Sequence, residues 1–160
     1  MIRVTIALCC LSAAIACAGQ TFQSISVSPD ANVNVVLVDS TGANVAPPVL
    51  KDQVSASRTL LSPDRQIAGW LVEENQGNSY PIATSLVLFR NGHIVQRLGD
   101  GMMVYKWAFR NGSSQVVLET GTVHGMQGHH MLLFSVETGR QLKVWSGKEG
   151  QSPEWGRALK

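Results

Sequence analysis

The chain has 160 residues, of which 44% are hydrophobic and only 15% charged, with 15 glycines, 6 prolines and a formal net charge of +2. That length fits one domain with a buried core and excludes two large ones. The near-neutral balance offers no electrostatic argument for a nucleic-acid partner, and low charge with frequent turn residues favours a turn-rich β protein over a helical one.

Residues 1–18 read as an export signal. Arg3 supplies a positive n-region, and Val4–Ala16 is an apolar run too short for a permanent membrane span. Ala16-Cys17-Ala18 closes it with small residues, which sets cleavage before Gly19. A second reading stays open. Ala14-Ile15-Ala16-Cys17 loosely resembles a bacterial lipobox, which would make Cys17 a lipid anchor, although the leucine usual at its start is absent. Cys9, Cys10 and Cys17 are the 3 cysteines, so the mature chain is expected to carry no disulfide and no thiol chemistry. A domain held by its core alone fits a periplasmic location, with secretion or lipid anchoring as alternatives.

Residues 19–54 are expected to form an N-terminal strand or extended arm. Asn34–Val38 has strand composition, Asp39-Ser40-Thr41-Gly42 is a turn cluster, and Ala46-Pro47-Pro48 enforces an extended connector. From Ser55 the pattern sharpens into two units, 55–99 and 103–146, within a β region spanning 55–150. The first runs from Ser57–Leu61 through Ser62-Pro63-Asp64 to Gln66–Glu73. A long polar connection then leads to Leu86–Leu98, two apolar runs flanking Asn91-Gly92, the pair that best tolerates a type I′ hairpin turn. The second repeats this order: Val104–Phe109, the turn Arg110-Asn111-Gly112, Gln115–Glu119, a long connection, Met131–Val136 and Gln141–Trp145. Residues 151–160 form a tail whose short turn is expected to tuck Trp155 against the sheets.

Leu88-Phe89 is matched by Leu133-Phe134 and Ile67 by Val116, at a period in the forties. Such a period built of four strands is the mark of a propeller-blade repeat. Ser62-Pro63-Asp64-Arg65-Gln66-Ile67-Ala68 resembles the S-P-D-G-(R/K)-x-(I/L)-A segment of WD40-like, TolB-type β-propeller repeats of exported bacterial proteins. Val136-Glu137-Thr138-Gly139-Arg140-Gln141-Leu142 is similar to the closing turn of the same repeat. Two positions depart from the pattern: Arg65 stands for the turn glycine and Val136 for the aspartate before the closing turn. The resemblance covers Ser55 to Trp145 and implies envelope proteins as partners, while leaving activity open, because propellers host many unrelated functions.

The expected fold is therefore all-β, with two four-stranded antiparallel blade-like units packed as a sandwich or partial propeller and an N-terminal strand arm. Gln66–Glu73 and Leu86–Phe89 are apolar on both faces and must be covered on both. Two blades cannot close a ring. A sandwich-like monomer is the favoured solution, beside an oligomer that completes a ring and a body in which Gln20–Lys51 covers the open side.

Both long connections join the second strand of a unit to the third, so they should emerge at one edge, where loops on a rigid scaffold carry sites. The candidate partner-binding residues are Glu73, Asn78 and Tyr80 from loop 73–83, and His124, Gln127 and His129 from loop 120–129. Three of the 4 histidines fall in His124–His130, which makes His124 and His129 weak candidates for zinc or copper, with Glu119 the nearest carboxylate in sequence. The spacing fits no established zinc motif. Glu73-Glu74 could be paired carboxylates, but neighbours at a strand end point to opposite faces. No nucleophile elbow or phosphate loop is present, so neither serine hydrolysis nor nucleotide binding has support. Trp70 and Trp107 sit mid-strand as core, and Trp145 lies on the polar side of its strand. The expectation is a non-enzymatic binding module without cofactor, engaging a protein or cell-envelope component and no nucleic acid. Its alternatives are a histidine-based metal protein or small metal-dependent enzyme, and a structural piece completing a sheet by oligomerisation.

Overall fold

A computed structural model of the chain describes residues 19–77, 80–123, 129–147 and 151–159. Residues 1–18, expected as an export signal, with Cys9, Cys10 and Cys17, and the candidates Asn78, His124 and Gln127, lie outside the described residues. Among the described residues no helix is long and apolar enough to cross a membrane.

The chain is all-β. Strands β1 (Phe22–Val27), β2 (Val35–Asp39) and β3 (Asn44–Val45) form a first antiparallel sheet. β4 (Ser55–Leu61), β5 (Ala68–Glu74), β6 (Ile82–Arg90) and β7 (His93–Leu98) form a second, in sequence order. β8 (Met103–Arg110), β9 (Gln115–Gly121), β10 (His129–Ser135) and β11 (Gln141–Gly147) form a third, also in sequence order. None of the three is closed. A 3₁₀ helix, Glu154–Leu159, follows.

The strand alternation decides how the sheets stack. Leu86 and Leu88 of β6 point one way, and with Leu71 they meet Trp107, Leu118 and Phe134 of the third sheet. Val87 and Phe89 point the other way, and with Trp70 they meet Phe22, Val35 and Leu37 of the first. Phe89 is the hub, with ring centroids 6.1 Å from Phe22 and 6.4 Å from Trp70. The second sheet is thus covered on both faces, as its apolar composition requires. Each such fully buried large side chain contributes roughly 1.5–3 kcal/mol relative to exposure. The outward face of the third sheet, Val117, Met131 and Leu133, is sealed by Leu159 with Trp155 and Trp145.

One expectation changes: the architecture has three layers where a two-sheet sandwich was favoured. Residues 19–54, read as a strand or extended arm with a strand at Asn34–Val38, supply three strands that form a sheet of their own. The cause is the turn after β2. Asp39 Oδ1 accepts from Thr41 Oγ1 at 2.6 Å, Thr41 N at 2.8 Å and Ala43 N at 3.0 Å, and Gly42 takes φ 87°, so β3 folds back on β2. Gln20–Lys51 therefore covers the second face of the β4–β7 sheet.

The turns position the edges. Asn91 (φ 50°) and Gly92 (φ 81°) make the left-handed pair expected between β6 and β7. In the β4–β5 turn Asp64 Oδ1 accepts from Ser62 Oγ at 2.6 Å and Gln66 N at 3.2 Å. Arg65 occupies φ 58°, a conformation that suits glycine. Its guanidinium donates to the Gln23 carbonyl at 3.0 Å and its carbonyl accepts from Phe22 N at 2.8 Å, so this turn fastens the first sheet to the second.

Candidate functional site: the rim of the long connections

The ends of β5, β7 and β9 and the starts of β6, β8 and β10 gather at one edge. The five-residue passage from Leu98 to Met102, which carries the chain from the second sheet to the third, runs along it. Gly99 lies so close to β6 that a Cβ there would come within 2.8 Å of the Thr84 carbonyl. Asp100, in this connection, turns its carboxylate toward the third sheet. Its Oδ1 accepts from Met102 N at 3.1 Å, and its Oδ2 accepts from Oγ1 of the fully buried Thr120 at 3.0 Å. This carboxylate therefore fastens the connection between the two sheets to the edge of the third.

A cavity of about 300 Å³ opens on the rim, lined by Glu74, Gln76, Thr84, Ser85 and Arg97 among others. Arg97 Nε donates to Ser85 Oγ at 3.0 Å, and its guanidinium pairs with Glu74. The arginine is 43% exposed, so the pair adds about 0–1 kcal/mol to stability, and its main effect is to hold the guanidinium over the cavity. Glu73 does not join it. Its carboxylate accepts from Ser55 Oγ of β4, so the adjacent carboxylates take partners on opposite sides of the sheet and do not converge. Tyr80 stands at the rim 53% exposed.

On the third sheet His129 opens β10. Its Nδ1 lies 2.8 Å from Glu119 Oε1 on β9, and its ring centroid is 5.7 Å from that of Tyr105 on β8, whose hydroxyl donates to the Thr122 carbonyl. The structure thus brings His129 together with Glu119, the carboxylate nearest to it in sequence, although the ladder pairs Glu119 with Met131. His130 points the other way and meets Ser146 Oγ through Nδ1 at 2.9 Å. His93 is remote, at the start of β7, 3.1 Å from the Asn91 carbonyl. Among the described residues no group of three or more His, Cys, Asp or Glu side chains is placed to hold a metal ion.

Sequence reasoning missed Arg97, Ser85 and Asp100. Asp100-Gly101 carried a turn signal that could have placed Asp100 between the sheets. Nothing local marked Arg97, because its pairing with Glu74 crosses two strands and depends on a register shift between Val72 and Glu73.

No family model matches the sequence, and no curated protein matches it either. Solved structures do resemble it. One, described as the crystal structure of the eukaryotic initiation factor, superposes with a TM-score of 0.55 at 15% identity, over 82% of this chain and 30% of that one. The likeness is one of fold, and this chain spans 30% of the length of the protein it resembles.

Proposed function

We propose that this chain is an exported, propeller-type stack of β-sheets that works as a non-enzymatic binding module, taking a protein or cell-envelope partner at the rim of its long connections. The observation that carries this reading is the Asp100–Thr120 bond, which fastens the connection leaving the second sheet to β9 of the third, beside a charged, partly open cavity. Loops held on a rigid β scaffold are where recognition concentrates. Arg97 and Tyr80 have the chemistry of interface anchors: a guanidinium with free surface and an exposed aromatic ring. The blade-like reading is supported by the two sequential four-stranded sheets packed face to face, and export by the segment 1–18, with Cys17 lipidation as its variant form.

The test is capture from an envelope extract by the immobilised chain, compared with Tyr80→Ala and Arg97→Gln. Retention of the same partner should fall in both variants while the melting temperature stays within experimental error. Retention unchanged in both would overturn the reading, and a parallel loss of stability would make the two residues structural.

A metal-binding alternative draws on the Glu119–His129 pair, since a carboxylate on one ring nitrogen orients an imidazole for a ligand at the other. Stoichiometric zinc or copper uptake that disappears in His129→Ala would favour it. Assembly by sheet completion has less support. The outward side of the first sheet carries the exposed Gln23, Ser24 and Ser26, and the 3₁₀ helix covers the far side of the third.

A further inference from the structure

The edge opposite the rim carries a second, larger cleft, of about 520 Å³, between the turn ends of the second and third sheets. Its apolar floor includes Ile67 and Val136, both buried. Its walls carry charges of both signs. Arg90 comes from the end of β6 and Arg140 from the β10–β11 turn, so the two guanidinia belong to different sheets. Both are exposed, and neither forms an ion pair or side-chain hydrogen bond among the described residues. Two arginines lining one cleft without a direct ion pair are available to an anion, for which the guanidinium fork is suited.

The negative side of the cleft is Asp64, with Glu137 at its lip. Both close bonds to Asp64, from Ser62 and Gln66, fall on Oδ1, and Oδ2 takes neither. Next to it is Ser113, only 4% exposed, whose Oγ has no partner at hydrogen-bonding geometry yet lies near enough to the Asp64 carboxylate to help keep it ionised. A buried hydroxyl without a full partner costs free energy, and a ligand donor or acceptor would recover it. Ser113 also holds φ 78°, a left-handed conformation costly for a residue with a Cβ.

A simple anion such as phosphate would meet the arginines but would face two carboxylates. A simple cation would meet the reverse. We propose that this cleft binds a small zwitterion of the amino-acid type, with its carboxylate on Arg90 and Arg140, its ammonium against Asp64 and Ser113, and an apolar side chain over Ile67 and Val136. The volume is that of an ordinary small-molecule site, which runs about 300–1,000 Å³.

The test uses leucine as the probe, with leucinamide, N-acetylleucine and inorganic phosphate as its arms, read by amide chemical shifts of the cleft residues and by calorimetry. Leucine should bind at one site and shift the amides of Ser113, Ser114 and Thr138. Leucinamide, which lacks the carboxylate, and N-acetylleucine, which lacks the ammonium, should each bind at least about tenfold more weakly. Arg90→Gln and Arg140→Gln should weaken leucine by a similar factor with the spectrum elsewhere unchanged, because neither side chain has a structural partner to lose. Phosphate binding as well as leucine would make this a general anion site and overturn the proposal. So would leucine that leaves these amides unmoved at millimolar concentration, or binding indifferent to both arginine variants.

Discussion

Gly69 on β5 lies directly beneath the indole of Trp107 on β8: a Cβ added there would stand 2.4 Å from Trp107 Cη2 and 3.0 Å from Cζ2. The ring cannot give way, because its Nε1 donates to the Arg58 carbonyl at 2.7 Å, in the bulge where β4 passes through φ 47°. Gly69→Ala should therefore destabilise the chain by roughly 1–3 kcal/mol, the usual range for overpacking a tight core. Trp107→Phe should cost roughly 1–3 kcal/mol on its own by leaving the Arg58 carbonyl without its donor. Combined, they should cost clearly less than the two added together, since the smaller ring makes room for the methyl group. Denaturant melts of the four proteins check this, and strict additivity would contradict the contact.

This contact also shows what was legible beforehand. Trp107 and Trp70 were expected in the core from their mid-strand positions, and they are 5% and 1% exposed. The left-handed turn at Asn91-Gly92 was readable because it depends on two adjacent residues. The partner of Trp107 was not, because Gly69 lies on another sheet and meets it through stacking, which no local pattern encodes. In the first sheet the strand at Asn34–Val38 was legible, but β1 and its pairing were not, for a related reason. Phe22–Val27 alternates serine with apolar residues too weakly to announce a strand, and its pairing with β2 follows from the Asp39 turn. At the candidate site, Glu119 and His129 could be paired from their positions at strand ends. Arg97 and Glu74 could not, because a register shift between β5 and β6 separates them.

Asp64 predicts an acid dependence. Burial pushes its pKa up, but hydrogen bonds from the Ser62 hydroxyl and the Gln66 amide, with the Ser113 hydroxyl nearby, outweigh that and hold it below its usual 3.8. A carboxyl lowered on folding adds stability above its unfolded pKa and loses it as pH falls through the folded one. The wild type should thus lose stability as pH drops below 3.8, and Asp64→Asn should lose less over the same interval while being less stable at neutral pH. Melting temperatures against pH for both proteins measure it, and parallel curves would refute it.

Arg65 balances two opposed terms. Replacing it with glycine relieves a left-handed conformation worth roughly 1–2 kcal/mol. The same change removes the bond to the Gln23 carbonyl, about 0.5–1.5 kcal/mol, and adds backbone entropy to the unfolded chain, about 0.5–1 kcal/mol. Global stability of Arg65→Gly should move little. Amide exchange in β1 should quicken while that of β5 and β6 does not, because the lost bond fastens only the first sheet. Uniform exchange across all three sheets would count against this.

The 3₁₀ helix should act as a seal. Removing residues 151–160 uncovers Val117, Met131 and Leu133, an apolar face that water penalises. The shortened chain should associate with rising concentration, as sedimentation would show. Leu159→Ala, which keeps the helix, should instead cost about 2–5 kcal/mol or somewhat less, given its position near the chain end.

The strand order has a consequence for how the molecule comes into being. Within each four-stranded sheet every strand pairs with its immediate neighbour in sequence, so no ladder hydrogen bond within either sheet waits for residues of the other to be made. A chain emerging from a ribosome or a translocation pore can complete Ser55–Leu98 as successive hairpins while β8–β11 are still unsynthesised or unthreaded. Local pairing of this kind shortens the loops that must close and speeds folding. Assembly then becomes directional: the sheet in the middle matures with one face already dressed by the first sheet and the other exposed, and the last sheet arrives as the lid that ends its contact with water.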